Sequence, residues 1–339
     1  MQAYQIVSGA HVAGLERVER PAPVAGPHQV LVRTHAVSLN YRDLMFARGQ
    51  YGPVAAHPMI PVADGAGEVI AVGAGVTRFK LGDRVINTYF PDWIDGRPTP
   101  TKTRDSFGAQ IDGVLAEQFT AHEDALVAIP AHLDYAEAAV LSCAGITAWN
   151  AMFVEAALKP GDSVLLLGTG GVSIIALQLA KAAGLRAIVT SSSDDKLERV
   201  RALGADAVIN YRDTPEWQDE VLRLTDGIGV DAVIEVGGEG TLARSIQSTR
   251  MGGTVAVIGG VTGFGGTQVD PLALIVGVKH LAGIFVGSRA MLDALAKFVE
   301  VNRIVPVVDR VFGFDQAREA YEYLEAGRHF GKVVVRVVG

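Results

Sequence analysis

Residues 163–173 read SVLLLGTGGVS and continue into IIALQLAKAAG. Few features restrict a fold as strongly, because apolar strand, glycine turn and helix follow one another without a spacer. Glycine at 168 permits the tight turn, glycine at 170 lets another group approach the backbone, and the first N–H groups of the helix face any anion placed there. Ser173, where a third glycine is usual, is small enough for close helix-to-strand contact. The arrangement fits a dinucleotide pyrophosphate held by Gly168, Thr169, Gly170, Gly171 and Val172. Glycine turns also join strands to helices for structural reasons alone, so the surrounding sequence decides.

That sequence repeats the rhythm. Strand-like runs at 163–167, 186–190, 207–210, 232–236, 254–258 and 281–286 alternate with helical ones such as 172–183 and 194–203. This is the βαβ pattern of a parallel sheet of about six strands. The first 125 residues differ: short alternating runs such as VLVRTH at 30–35 are punctuated by Pro21, Pro23, Gly26 and Pro27, as in antiparallel strands. A helix at 291–301 leads to a strand at 330–338 that reads as part of the first region. The 339 residues thus hold an α/β domain inserted into a mainly β one, and the length favours two domains.

Composition excludes other classes. With 49% hydrophobic and 20% charged residues the chain is globular, and a net charge of −7 without any Lys/Arg block argues against a nucleic-acid partner. No apolar run is long enough to span a bilayer. A single cysteine forms no internal disulfide, and the start AYQIVSG lacks a secretory signal pattern, so a reducing cytoplasm is expected.

Cofactor identity is written after the second strand. An NAD site places an acid there for the ribose hydroxyls, whereas this chain has Ser191, Ser192 and Ser193, with Lys196 one turn later. Hydroxyls and an ammonium suit a 2′-phosphate, which favours NADP while leaving NAD open. Asp194 and Asp195 qualify the reading, since Ser193 or Asp194 also serves as a plain helix cap. Tyr211 flanks the adenosine or lies in a solvated loop.

SLNYRDL at 38–44, DGAGEVIAVGAGVTRFKLGDRV at 64–85, CAGITAWNAM at 143–152, LKPGDSVLLLGTGGVS at 158–173 and HFGKVVV at 329–335 resemble the medium-chain dehydrogenase/reductase superfamily, and most of all its quinone oxidoreductase and zinc-independent alcohol dehydrogenase-like branch. The resemblance implies a GroES-like catalytic domain at 1–128 that resumes at 289–339, a Rossmann domain at 129–288, and a substrate cleft where they meet. Lys332, in HFGKVVV, joins the cofactor-contacting set. The catalytic zinc ligands of the zinc enzymes fall at Asn40, Ala63 and Cys143, and only the thiol is a ligand type. The lobe that carries four cysteines in those enzymes falls at 86–113, which has none. No metal is therefore expected, and Cys143 reads first as a small buried helix residue.

Without a metal to stabilise an alkoxide, hydride addition to an enone or a quinone is the more accessible chemistry, since its charge spreads over an enolate that neutral donors support. Candidate donors gather in NYRDLMFARGQYGP: Asn40, Tyr41, Asp43 and Tyr51. In related enoyl reductases a tyrosine in a GxYP-like stretch donates the proton, and Tyr51 matches it with an extra glycine before Pro53. Tyr51 also reads as pocket wall or structural contact, Asn40 as a turn residue, and Asp43 as orienting Tyr41, as the partner of Arg42 or as a helix cap. Asp64 reads as structural. Tyr89, Phe90, Trp93 and Phe107 form either a lid or bulky-substrate wall, or a self-packed surface loop. Metal-independent alcohol or aldehyde oxidation, or a crystallin-like nucleotide-binding protein with little turnover, are the alternatives. The apolar run 281–286 is expected at a sheet edge, pairing two subunits.

Overall fold

The computed structural model describes residues 1–52, 57–266 and 269–337. The chain forms two compact units, 1–146 with 286–339, and 147–285. The sequence divides instead at 128/129 and 288/289; helix Tyr135–Ala138 stays with the first unit because Ala136 packs against Ala36 and Val334.

The first unit is built on a seven-stranded sheet. Its order is Val308–Gly313, Lys332–Arg336, Gln29–Leu39, Asp64–Val72, Arg84–Asn87 and Leu126–Ala128, with Gln118–His122 also paired to Gln29–Leu39. Gln29–Leu39 starts with alternating burial and ends fully buried, because Val37, Ser38 and Leu39 run between two neighbours, Lys332–Arg336 and Asp64–Val72. Gly67 makes one of these pairings possible: a Cβ there would lie 2.1 Å from the Arg33 carbonyl oxygen. The closing strand, Lys332–Arg336, joins the amino-terminal sheet antiparallel, with Val335 opposite Val37, as the sequence indicates. The sequence reading lacks strand Val308–Gly313 and helix Ala317–Glu325; VDRVFG has charges at its second and third positions and lies at an exposed edge.

In the second unit six strands are all parallel, in the order Ala207–Asn210, Arg186–Ser191, Ser163–Leu167, Val230–Glu235, Thr249–Val257 and His280–Gly283. This doubly wound order reverses beside Ser163–Leu167, so the carboxyl ends of that strand and Val230–Glu235 flank the switch point where such sheets bind ligands. Burial on both faces explains the unbroken apolar run VLLL at 164–167. Leu165, Ile188, Val233 and Val255 pack with Trp217 and Ile246 from two covering helices.

The last strand is shorter than expected. Pairing ends at Gly283: the Ile284 N–H donates the last ladder bond, to the Val257 carbonyl, and Val286 then adopts a left-handed φ of 58°. Ile284 and Val286 are consequently buried, while Leu281 and Phe285 are exposed. Among the described residues no single helix is long and apolar enough to cross a membrane.

Candidate active site

Asn40 ends the long strand and starts helix Tyr41–Ala47 in extended conformation, and its backbone N–H donates to Asp43 Oδ2 at 2.8 Å. Its side chain is locked from both ends. Nδ2 donates to Asp64 Oδ2 at 2.8 Å, and Oδ1 accepts from Lys332 Nζ at 2.6 Å. Lys332 also donates to the Leu39 carbonyl at 2.6 Å and lies 3.8 Å from Asp64 Oδ2. Lys332, Asp64, Arg42 and Asp43 are all buried, so two cations and two carboxylates share one desolvated cluster. Burial raises the Asp64 carboxyl to about 7, against the opposing pull of Lys332 and Asn40. Its second oxygen, Oδ1, is buried and has no hydrogen-bond partner among the described residues. Burial also raises Asp43, with Arg42 pulling the other way.

Arg42 is the second centre. It pairs with Asp43 at 3.1 Å and donates to the Phe107 and Gly108 carbonyls and to Ser106 Oγ. It thereby fastens the 86–113 segment from inside. The aromatic residues of that segment are buried, with Tyr89 edge-on to Phe90 at 4.7 Å and the Trp93 indole donating to the Gly96 carbonyl. The segment packs on itself, and one member reaches a candidate: Tyr89 Oη lies 2.6 Å from Tyr51 Oη. Arg42 stands 4.6 Å from the Tyr51 ring centre and 5.2 Å from that of Tyr89. Pro53, next to the tyrosine stretch, lies outside the described residues.

Asn40, Asp43 and Tyr51 thus belong to one connected set, and Lys332, placed in the cofactor set by sequence, joins it through Asn40. Tyr41 does not: it is exposed on the first turn and bonds Arg48. Sequence reading placed neither Arg42 nor Tyr89 in the site itself. The signal for Arg42 was its place before Asp43 in NYRD; Tyr89 was visible only as one aromatic among several.

This geometry leaves no zinc ligand set at the three positions. Both polar atoms of the Asn40 amide are taken by Asp64 and Lys332, Ala63 has no ligand atom, and burial pushes the Cys143 thiol up, which keeps it protonated. Among the described residues no three His, Cys, Asp or Glu side chains gather as a metal site. An ammonium beside a lone thiol does not fit a zinc ion.

The second unit holds the nucleotide candidates. Gly168 has φ +72°, which other residues rarely adopt, and among the described residues a Cβ at Gly168 or Gly170 would meet no protein atom within 4 Å. The room kept there is open space at a helix start, as a pyrophosphate requires. Thr169 is buried, Gly171 and Val172 open the helix, and Ser173 Oγ donates to the Leu167 carbonyl at 2.6 Å. At the next strand end Ser191 is buried and its Oγ accepts from the Ser193 N–H, while Ser192 is half-buried. Ser193 caps the following helix by accepting from the Lys196 N–H, and Asp194 accepts from Asn210. Exposed Tyr211 donates its backbone N–H to the Ser191 carbonyl. Across the switch point, buried Glu235 accepts from the Gly237 and Gly238 N–H groups and from the Thr241 and Ser245 hydroxyls. Sequence reading missed this clamp.

Residues 26–131 match the alcohol dehydrogenase GroES-like domain family and 171–300 the zinc-binding dehydrogenase family. A zinc-type alcohol dehydrogenase-like protein of Schizosaccharomyces pombe is 43% identical, covering 98% of this chain and 97% of its own. A solved NAD-dependent alcohol dehydrogenase is 33% identical with a TM-score of 0.90, covering 100% of both chains. A crotonyl-CoA carboxylase/reductase solved in complex with NADP is 26% identical with a TM-score of 0.87, covering 99% of this chain and 94% of that one. Parallel nucleotide fold, amino-terminal β unit and relatives along the full length agree: the chain belongs to the medium-chain dehydrogenase/reductase superfamily of NAD(P)-dependent oxidoreductases.

Proposed function

We propose that the protein is a zinc-independent, NADPH-dependent reductase of activated alkenes or quinones. The observation that carries this reading is the Asn40 amide, held between Lys332 and Asp64 where a zinc enzyme needs a thiolate. The bound reduced nicotinamide supplies a hydride. Gly168 to Val172 hold its pyrophosphate at the helix start, and Ser191, Ser192 and Lys196 receive the 2′-phosphate, with Tyr211 beside the adenosine. In the first unit Lys332 and Asp64 fix the Asn40 amide. Tyr51 donates the proton that completes the saturated product. The enzyme works in a reducing cytoplasm, and two copies pair along the His280–Gly283 edge.

The test sets an enone, its saturated ketone and a benzoquinone side by side, with NADPH or NADH and with and without chelator, alongside metal analysis. Turnover of enone or quinone with NADPH, unaffected by chelation, is expected. One zinc per chain that leaves together with activity overturns the reading. The names of the relatives favour a second reading, alcohol or aldehyde oxidoreduction; turnover of the saturated ketone alone selects it.

A further inference from the structure

Tyr51 and Tyr89 come from separate stretches of the first unit, and their hydroxyl oxygens are 2.6 Å apart. That is at the short end for O–H···O bonds between neutral groups. The Arg42 guanidinium lies against both rings and is itself held by Asp43, Ser106 Oγ and two carbonyls, so the cation does not swing away. Tyr89 is buried and Tyr51 half-buried. Burial holds the Tyr89 phenol well above the usual range despite Arg42, so Tyr89 keeps its proton; either hydroxyl can donate in the resting pair, and the Tyr89 O–H is there to donate once Tyr51 gives up its own proton. The other titratable neighbour of Tyr89 is the Cys143 thiol, which burial also keeps protonated.

We propose that Tyr89 is a positioning residue for proton transfer from Tyr51: its O–H donates to Tyr51 Oη and, with Arg42, stabilises the tyrosinate that remains. The proposal rests on the reductase reading above. In balanced form, hydride from the reduced nicotinamide makes the new C–H bond at the β-carbon of an enone and leaves oxidised nicotinamide. The alkene electron pair moves toward the carbonyl as an enolate. The Tyr51 O–H bond then breaks, its proton forms the second C–H bond at the α-carbon, and the tyrosinate later regains a proton from water. A hydrogen bond to a developing anion is stronger than one to a neutral hydroxyl, so Tyr89 acts mostly after the proton starts to move.

The experiment compares wild type, Tyr51→Phe, Tyr89→Phe and the double variant, using cyclohexenone and NADPH. It reads kcat and KM against pH, together with the solvent deuterium isotope effect. Tyr51→Phe is expected to lower kcat by about 100-fold or more, the usual scale for losing a general acid. Tyr89→Phe keeps the ring against Arg42. It is expected to lower kcat roughly tenfold with KM little changed, to enlarge the isotope effect, and to move the alkaline limb of kcat up by about one pH unit. In the Tyr51→Phe background it should cost nothing further, because it acts only through Tyr51. Additive losses, or an unmoved alkaline limb, make Tyr89 a packing residue and overturn the proposal while leaving the reductase reading intact. If Tyr89→Phe lowers the unfolding temperature, the double variant separates destabilisation, which adds, from coupling, which does not. Full activity in Tyr51→Phe, or a wild type inert toward enone and quinone alike, removes the donor role and the proposal together.

Discussion

Under the NADPH reading proposed above, cofactor choice turns on Ser191. Ser191→Asp sets a carboxylate beside any 2′-phosphate and offers NADH a ribose acceptor; fluorescence titration should show NADPH binding weakened at least tenfold, on the scale of about 1.4 kcal/mol, and NADH tightened. A variant that still prefers NADPH places selection elsewhere. Asp64 gives a pH signature. Its carboxyl titrates near 7 when folded and near 3.8 in its ordinary state, so the folded chain holds a proton that the unfolded chain has lost. The resulting stability is complete below the lower value and is lost as pH rises through the upper one. Denaturant melts should therefore show wild type losing roughly 2 kcal/mol relative to Asp64→Asn between about pH 5 and pH 7; a flat difference contradicts it. Asn40 and Asp43 were legible in the sequence because their bond spans three residues. Lys332 reaches Asn40 from the far end of the chain, which no local pattern encodes. Tyr41 was misplaced because short spacing does not tell which side of a one-turn helix start faces inward.

Elements repeat the contrast. The central parallel strands were legible because burial on both faces makes their middles apolar, as in VLLL at 164–167 and AIV at 187–189, whereas Val308–Gly313 carries Asp309 and Arg310 and is specified by its pairing with Lys332–Arg336. The edge strand was legible in place but not in length, since nothing in LAGIFV announces that Val286 turns left-handed. Gly67 looked like one glycine among many in DGAGEV. With the Arg33 carbonyl 2.1 Å from its missing Cβ, Gly67→Ala should separate Gln29–Leu39 from Asp64–Val72 and destabilise the protein by about 2 kcal/mol or more, read by thermal unfolding. An unchanged midpoint would mean that the sheet gives way freely.

At the scale of the whole molecule, the edge of the parallel sheet is apolar beyond its own needs. Helix Pro271–Gly277 buries none of its residues; Ile275 is 72% exposed and Leu272 63%. Alongside the unpaired edge of His280–Gly283, such a surface fits a second copy related by a two-fold axis. Light scattering at about micromolar concentration is expected to show a dimer, and Ile275→Asp with Leu281→Lys to give a folded monomer. Charges at Ile284 or Val286 should unfold the protein instead, because both are buried. A monomeric wild type would end the pairing hypothesis.

The closing strand also sets an order of events during synthesis. Residues 147–285 are contiguous and can fold while later residues are still being made. The sheet that holds Asn40 has to wait, because Lys332–Arg336 lies inside it, between Gln29–Leu39 and Val308–Gly313. Until that strand arrives, Asp64 and Asn40 have no ammonium, and both flanking strands show bare edges. A nascent chain therefore acquires its nucleotide fold before its chemistry, and a ribosome that stalls short of residue 332 leaves a protein of the first kind without the second.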